Sequence, residues 1–355
     1  MKRNILLLVP SLCLGGQERV AVNTAQLLKE TDNVSFAVFT KKEAVYAPEV
    51  PVIDLKLPAQ GGGFGQIWQA LRRARVLKKL KRELSIDVTL SFGLSANLAN
   101  VLSRVRDRVV VSVHGYSSIP RGFMSKLVAQ LTYRGADLVS CVSKELSVVL
   151  SKHCKIPKDK MRVLYNPYEV TSIFERAHED TPFQIQHPAI VSVGRMQPIK
   201  GYRHLLHALC LAREKMPALT LVLVGDGTEL SALQMYAKEL GVEEHVLFTG
   251  FQENPYAIVA RCDLFVLSSI SEGFPNALVE AMACGMPVLA ADCKTGPREI
   301  LTRDDVPKVI TNVEFAEFGV LFPPFEEDFS DEPARDKLLA DTIVELLEDK
   351  ALREN

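Results

Sequence analysis

Several short stretches of this 355-residue chain set chemically capable side chains beside glycines. In Val193–Gly194–Arg195–Met196–Gln197–Pro198–Ile199–Lys200–Gly201–Tyr202, an arginine and a lysine stand five residues apart, between a β-rich run and a helical pattern. Two cations at the carboxyl end of a strand can clamp a diphosphate, the guanidinium as a planar fork and the ammonium as a point charge. A pair of solvated loop charges is the plainer alternative. In Ser268–Ser269–Ile270–Ser271–Glu272–Gly273–Phe274–Pro275–Asn276–Ala277–Leu278–Val279–Glu280, Glu272 falls in a strand-to-helix loop and Glu280 in the second turn of the helix. Pro275 suits the start of that helix, and Gly285 with Pro287 its end. Amides around Gly273, Phe274, Asn276 and Ala277 would point at a ligand there, with phosphate on the amides and sugar hydroxyls on the carboxylates. Glu280 is flanked by Leu278, Val279, Ala281, Met282 and Ala283, and a carboxylate in such surroundings is costly unless partnered. A third stretch, Ser11–Arg19, contains Gly15–Gly16 before a helical pattern, whose free N–H groups and dipole favour an anion. Ordinary βα turns carry such glycines equally well. His114 ends another β-rich run, just before Gly115; a lone histidine is more often structural, and its place at a strand end favours a functional role.

The elements that position these residues read as strands alternating with helices. The β-rich runs are Ile5–Val9, Val34–Phe39, Val88–Phe92, Val109–Val113 and Leu138–Val142, then Ala189–Val193, Leu219–Val224, Val246–Phe248, Leu264–Leu267 and Val288–Ala291. Most are continuous apolar runs, as parallel strands covered on both faces require. The alternation predicts an α/β fold of two Rossmann-like, doubly wound domains facing a cleft, with ligands at the carboxyl ends of the strands. The polar, irregular stretch around Pro167, Pro182 and Pro188 separates the halves. The expected domains are residues 1–168, a linker at 169–187, and 188–355. Ala334–Leu347 reads as a final helix.

Composition narrows the class. Apolar residues make up 47% and charged residues 24%, an ordinary globular balance. No apolar run reaches the ~18 residues that span a bilayer. The start, MKRNILLLVPSLCLGG, imitates a signal peptide; without a small-residue cleavage pattern, and with a glycine pair and helix following, it reads as a buried first strand. Seven cysteines without a CxxC pair suggest neither a disulfide framework nor a zinc site, and fit a reducing cytoplasm. The net charge of −1 conceals an asymmetry: residues 1–165 hold 26 Lys and Arg against 12 Asp and Glu, and the remainder 16 against 31. Two halves of opposite sign suggest different partners.

Glu272 and Glu280 eight positions apart, Gly194–Arg195 followed by Lys200–Gly201, and the early Gly15–Gly16 loop occur in order. Together they closely resemble the GT-B-fold retaining glycosyltransferases of family 4 (group 1), over nearly the whole chain. The resemblance implies that Arg195 and Lys200 bind the donor diphosphate, that Glu280 accepts hydrogen bonds from ribose hydroxyls, and that Glu272 contacts the donor sugar. It further implies that Gly15–Gly16 faces the diphosphate and that His114 lies near the transferred sugar. Gly225–Asp226–Gly227 and Gly250–Phe251 resemble the approach to the nucleotide and the base-recognition turn. Cys293–Ile300 resembles bacterial enzymes that build lipopolysaccharide, capsule or lipid-linked glycans, many of which use UDP-hexoses or N-acetylhexosamines. Such enzymes end in a helix that crosses back to the N-terminal domain, and this chain is expected to lack it.

No DxD-type pair follows a strand, although Asp304–Asp305 occurs in a loop, so transfer without a metal or other cofactor is expected. A hydride-transferring dehydrogenase would need GxGxxG after a strand, and neither Leu12–Arg19 nor Val224–Leu230 provides it. A non-catalytic sugar-nucleotide-binding protein, a phosphorylase and an epimerase remain as alternatives. The expected partners are a nucleotide-sugar donor and a glycan or polyprenyl-diphosphate-linked acceptor. Gly65–Leu84 reads as an amphipathic helix with Ile67, Ala70, Leu71, Ala74, Leu77, Leu80 and Leu84 on one side and Arg72, Arg73, Arg75, Lys78, Lys79, Lys81 and Arg82 on the rest. Its charge suggests docking of the basic half on an anionic membrane surface, at the inner face of the cytoplasmic membrane. Nucleic acid is not expected, since no aromatic-interleaved basic motif accompanies the charge.

Overall fold

The computed structural model describes residues 2–13, 15–42, 44–58, 64–115, 119, 122–302, 310–326 and 332–349, without the side chains of 64–67. The chain divides into two compact units, Met1–Pro167 and Tyr168–Asn355. Leu14 and the Asp304–Asp305 pair lie outside the described residues, as does the side chain of Ile67.

Unit 1 runs β1 Asn4–Val9, α1 Gly16–Leu28, β2 Asn33–Val38, β3 Val52–Asp54, α2 Phe64–Glu83, β4 Val88–Phe92, α3 Leu94–Leu102, β5 Arg108–Val113, α4 Phe123–Gly135, β6 Leu138–Cys141, α5 Lys144–Cys154 and β7 Met161–Val163. The strands form one parallel sheet in the order β3-β2-β1-β4-β5-β6-β7. β1 is central, and its apolar residues serve both faces. Ile5, Leu7 and Val9 pack with Val20, Ala21 and Ala25 of α1, while Leu6 and Leu8 pack with Leu77 of α2 and with Ala96 and Ala99 of α3. Each fully buried leucine contributes about 1.5–3 kcal/mol by leaving water. α3 packs against α2 and α4, and α4 against α5, which makes these four helices one layer.

α2 departs from the expected split between an apolar and a solvated basic face. Lys81 is fully buried, and its ammonium donates to Asp107 at 2.8 Å and to the side-chain oxygen of Asn100 at 2.7 Å. Arg73 is buried as well, donating to the Leu57 carbonyl and stacking over Phe39. Leu71, assigned to the apolar side, is 42% exposed. Periodicity assigns a helix position to a face, but Asp107 and Asn100 come from other elements and draw these cations inward.

Unit 2 runs α6 Val170–Ala177, β8 Ala189–Val193, α7 Tyr202–Arg213, β9 Thr220–Val224, α8 Leu230–Glu239, β10 Val246–Gly250, α9 Tyr256–Val259, β11 Leu264–Leu267, α10 Asn276–Ala283, β12 Val288–Ala291, α11 Pro297–Leu301, β13 Glu314–Ala316, β14 Gly319–Phe322 and α12 Pro333–Glu348. The order is β10-β9-β8-β11-β12-β14-β13, parallel except for the β13–β14 pair. Alternate residues of β8 again face opposite cores: Ile190 packs among α7, α8 and α12, and Ala189 and Val191 among α9, α10 and α11. Two Rossmann-like domains are therefore present. Residues 169–187, read as a linker, contain α6, whose Ile173 and Ala177 pack against Tyr256. The apolar-run criterion passed over β3, β7, β13 and β14, which are three or four residues long and end or flank their sheets. Among the described residues, no helix is long and apolar enough to cross a membrane.

Candidate functional site

In unit 2 the chain moves from β8 outward to β9 and β10, then returns past β8 to β11 and β12. Loops leaving the carboxyl ends of β8 and β11 therefore diverge, which opens the crevice where doubly wound sheets bind ligands. Arg195 and Lys200 leave β8, and Glu272 leaves β11.

Backbone hydrogen bonds lock these loops together. Ile270 N–H donates to the Ile199 carbonyl at 2.9 Å, and the Ser268 hydroxyl to the Lys200 carbonyl at 3.0 Å. The Gly201 backbone is left-handed at φ 63°, and a Cβ there would meet the Ser268 carbonyl oxygen at 2.1 Å. Only glycine lets the two loops approach this closely. Gly225 plays the same part between β9 and β8: at φ 139°, a Cβ would fall 2.0 Å from the Gly194 carbonyl oxygen. Asp226 turns back on the next residue, accepting from Gly227 N–H at 2.6 Å, and Met196 N–H donates to the Asp226 carbonyl. Phe251, after Gly250, is 43% exposed at the end of β10.

The central contact joins the two charged residues. Lys200 Nζ lies 2.6 Å from Glu272 Oε1, and the Ser269 hydroxyl donates to that same oxygen at 2.6 Å. The two side chains are 21% and 11% exposed, so the pair is partly withdrawn from water. Arg195 is exposed and has no ion pair among the described residues. The two cations expected to act alike thus differ in this state, one free for an incoming anion and one held by a carboxylate.

The loop after β12 fixes Glu272 from the other side. Thr295 Oγ1 donates to the Glu272 carbonyl at 2.6 Å, and Glu272 N–H donates to the Lys294 carbonyl at 3.2 Å. Thr295 is buried at φ 63°, an unusual conformation for a β-branched residue and a mark of a constrained turn. Arg298 anchors the base of this loop, donating to Asp292 at 2.6 Å and to Glu314 at 3.2 Å. Burial opposes its charge, but the bonds to Glu314 and Asp292 prevail and hold its pKa above the ordinary value.

α10 begins at Asn276, with Pro275 just before it. Gly273 is buried, and Phe274 and Ala277 are half-buried in the same loop-to-helix turn. Asn276 Oδ1 accepts from the Tyr168 hydroxyl at 2.7 Å. Glu280 is buried on the second turn, as the apolar sequence around it required.

Gly15, Gly16 and His114 belong to unit 1. Gly15 is extended at φ 179°, so no unusual dihedral demands glycine there. A Cβ would meet Glu18 Oε2 at 2.1 Å, but that is the movable end of a flexible side chain, so space does not demand glycine there either. At the start of α1, read as an anion site, the Glu18 carboxylate lies beside Gly15. His114 Nε2 lies 2.8 Å from the Ser112 hydroxyl, and its ring packs 5.3 Å from that of Phe92. Burial lowers its pKa to about 4, so the imidazole is neutral at physiological pH. Behind it a polar chain runs through the sheet: Asn97 donates to the Ser112 carbonyl, Ser91 to Asn97, Asn100 to Ser91, and Lys81 to Asn100.

The structure therefore brings Arg195, Lys200, Glu272, Gly194, Gly225, Asp226, Gly227, Gly273, Phe274, Asn276, Ala277 and Glu280 onto loops and the first two helical turns at the carboxyl end of one sheet. Sequence reading missed Ser269, Thr295 and Tyr168. A signal existed for Thr295, since Thr-Gly follows a strand at the ligand end of the sheet. Tyr168 precedes the second-unit pattern and had none.

The family model for glycosyl transferases group 1 matches residues 174–355, and that for glycosyltransferase family 4 matches residues 14–172. The chain is 28% identical over 315 residues to a glycosyltransferase of Methanocaldococcus jannaschii, covering 81% of this chain and 77% of that one. It is 31% identical over 309 residues to N-acetylgalactosamine-N,N'-diacetylbacillosaminyl-diphospho-undecaprenol 4-alpha-N-acetylgalactosaminyltransferase of Campylobacter jejuni, covering 83% and 82%. Its fold is similar to that of Anabaena HepE solved with UDP-glucose, with a TM-score of 0.74, 21% identity, and coverage of 99% of this chain and 91% of that one.

Proposed function

The chain belongs to the glycosyl transferases group 1, and from that membership we propose that it moves a hexose or N-acetylhexosamine from a UDP-sugar to a lipid-linked or surface-glycan acceptor, with retention of anomeric configuration and without a metal. The single observation that carries the reading is the Lys200–Glu272 contact at the switch point between β8 and β11, with exposed Arg195 on the same loop as Lys200. The relative from Campylobacter, named for transfer of N-acetylgalactosamine onto a diphospho-undecaprenol carrier, supports the acceptor class. HepE, solved with UDP-glucose, supports the donor class.

In this mechanism the bond between the sugar C1 and the β-phosphate oxygen breaks while the acceptor oxygen bonds C1 on the same face. The acceptor proton passes to the departing phosphate. Negative charge grows on that phosphate, and preorganised donors there lower the barrier. Arg195, Lys200 and the amides of Gly273–Ala277 are those donors. Glu272 orients the sugar by its hydroxyls, Glu280 takes the ribose hydroxyls, Phe251 meets the base, and neutral His114 offers a hydrogen bond to the sugar. The basic unit 1 rests on an anionic membrane at its cytoplasmic side, where a polyprenyl-diphosphate-linked acceptor would be presented.

A thermal-shift series with UDP, GDP, ADP and NAD, with and without magnesium, tests the donor assignment. A diphosphate present at 100 times its Kd adds about 2.7 kcal/mol of stability. A shift specific to UDP, indifferent to metal and lost in Arg195→Ala, supports the reading; a shift with NAD alone, or one that requires metal, refutes it. The anomeric proton coupling of the transferred sugar, followed by NMR from the first turnover, separates retention from inversion.

A further inference from the structure

α4 has two unlike faces. Ala129, Thr132 and Tyr133 are buried against unit 1. The opposite face carries Phe123, Met124, Leu127, Val128 and Leu131, of which Phe123 is 82% exposed and Met124 and Leu131 are each 65% exposed. The spacing of 123, 127 and 131, with 124 and 128 beside it, makes a continuous apolar stripe along the helix. Scattered exposed apolar residues need no explanation, but a contiguous stripe signals an interaction.

Its surroundings identify the partner. The helices of the layer, α2, α3, α4 and α5, hold eleven lysines and arginines against two glutamates. Lys126 and Arg134 are exposed on α4 itself, and Arg72, Arg75, Lys79 and Arg82 on α2. Trp68 is 59% exposed on α2, with the Arg72 guanidinium over its ring, an amphipathic pair suited to a water–lipid boundary. A second copy docked through this face would set one cationic layer against another. A nucleic acid would satisfy the cations but leave the stripe in water. An anionic bilayer satisfies both at once, with phosphates for the cations and acyl chains for the stripe.

We propose that α4 is a membrane-inserting element, lying in the plane of an anionic phospholipid surface with Phe123, Met124, Leu127 and Leu131 below the headgroups. This deepens the reading of unit 1 as the membrane side and moves the depth-setting contact from α2 to α4. α2 supplies surface charge, with Lys81 and Arg73 committed to the interior.

Cosedimentation of the full chain with vesicles of phosphatidylglycerol and phosphatidylcholine tests the proposal. Binding is expected to anionic vesicles only, to fall at least tenfold in Phe123→Ser/Leu127→Ser, and to weaken severalfold in Lys126→Glu/Arg134→Glu. In Trp68→Phe/Phe123→Trp, emission should shift to the blue on adding anionic vesicles. Equal binding to neutral vesicles, unchanged binding of the Phe123→Ser/Leu127→Ser variant, unshifted emission, or a concentration-dependent dimer abolished by those serines would each overturn it. UDP-induced thermal shift, measured on the same variants, should match that of the unaltered chain. Failure of the unaltered chain to bind UDP would count against the donor reading and leave the vesicle result standing.

Discussion

Replacing Glu272 by glutamine should separate diphosphate binding from sugar transfer. Lys200 Nζ is held 2.6 Å from Glu272 Oε1, so on the proposed reading an incoming β-phosphate would compete with a carboxylate for that ammonium. A hydrogen bond to a charged group contributes roughly 1.5–3 kcal/mol, and exposed ion pairs only about 0.2–1 kcal/mol. With side chains 21% and 11% exposed, this pair falls between those limits, near 1 kcal/mol of competition at ~1.4 kcal/mol per tenfold. Glutamine keeps the volume and the acceptor for the Ser269 hydroxyl, and the backbone stays fixed by Thr295 and Lys294. UDP should therefore bind Glu272→Gln about 3–10-fold more tightly by isothermal titration. Sugar transfer should fall by about 100-fold or more, because the carboxylate proposed to orient the sugar is lost. In Lys200→Met the charge substitution at 272 should leave UDP affinity unchanged, which closes a double-mutant cycle. Weaker UDP binding in Glu272→Gln, or a cycle with no coupling, would refute the competition between carboxylate and phosphate.

Three further outcomes follow from particular contacts. Lys81→Ala strands Asp107 in the interior and should cost about 3–5 kcal/mol in urea unfolding, whereas Lys79→Ala on the same helix should stay within about 0.5 kcal/mol. Gly201→Ala forces a Cβ toward the Ser268 carbonyl at a left-handed φ; about 1–3 kcal/mol of strain and a lost UDP-induced thermal shift are expected. His114 has its pKa lowered to about 4 in the folded state by burial, so the unfolded chain binds more protons as pH falls. The neutral ring's contribution is complete above its unfolded pKa of about 6.5 and is lost as pH drops toward 4. Urea unfolding of His114→Gln should show a shallower loss of stability over that window than the unaltered chain.

The sequence alone determined the longer, central strands, because apolar runs such as Ile5–Val9 and Ala189–Val193 must be covered on both faces, and it placed the candidate site at their carboxyl ends. It also located Arg195, Lys200, Glu272 and Glu280 on the loops and helix that leave those strands, since glycines and prolines mark where backbone can turn. Tertiary structure decided the partners. Lys200 meets Glu272, 72 positions away, only because β8 and β11 are neighbours, and Thr295 reaches Glu272 only because β12 lies beside β11. Lys81 and Arg73 read as surface charges until Asp107, Asn100 and the Leu57 carbonyl were brought to them from other elements. α4 shows the same limit. Apolar residues lie around most of its circumference, so helical periodicity does not choose the buried side. Packing against α3 and α5 buries Tyr133 and leaves Phe123 in water, because neighbouring elements, not local spacing, determine which face of a helix is covered.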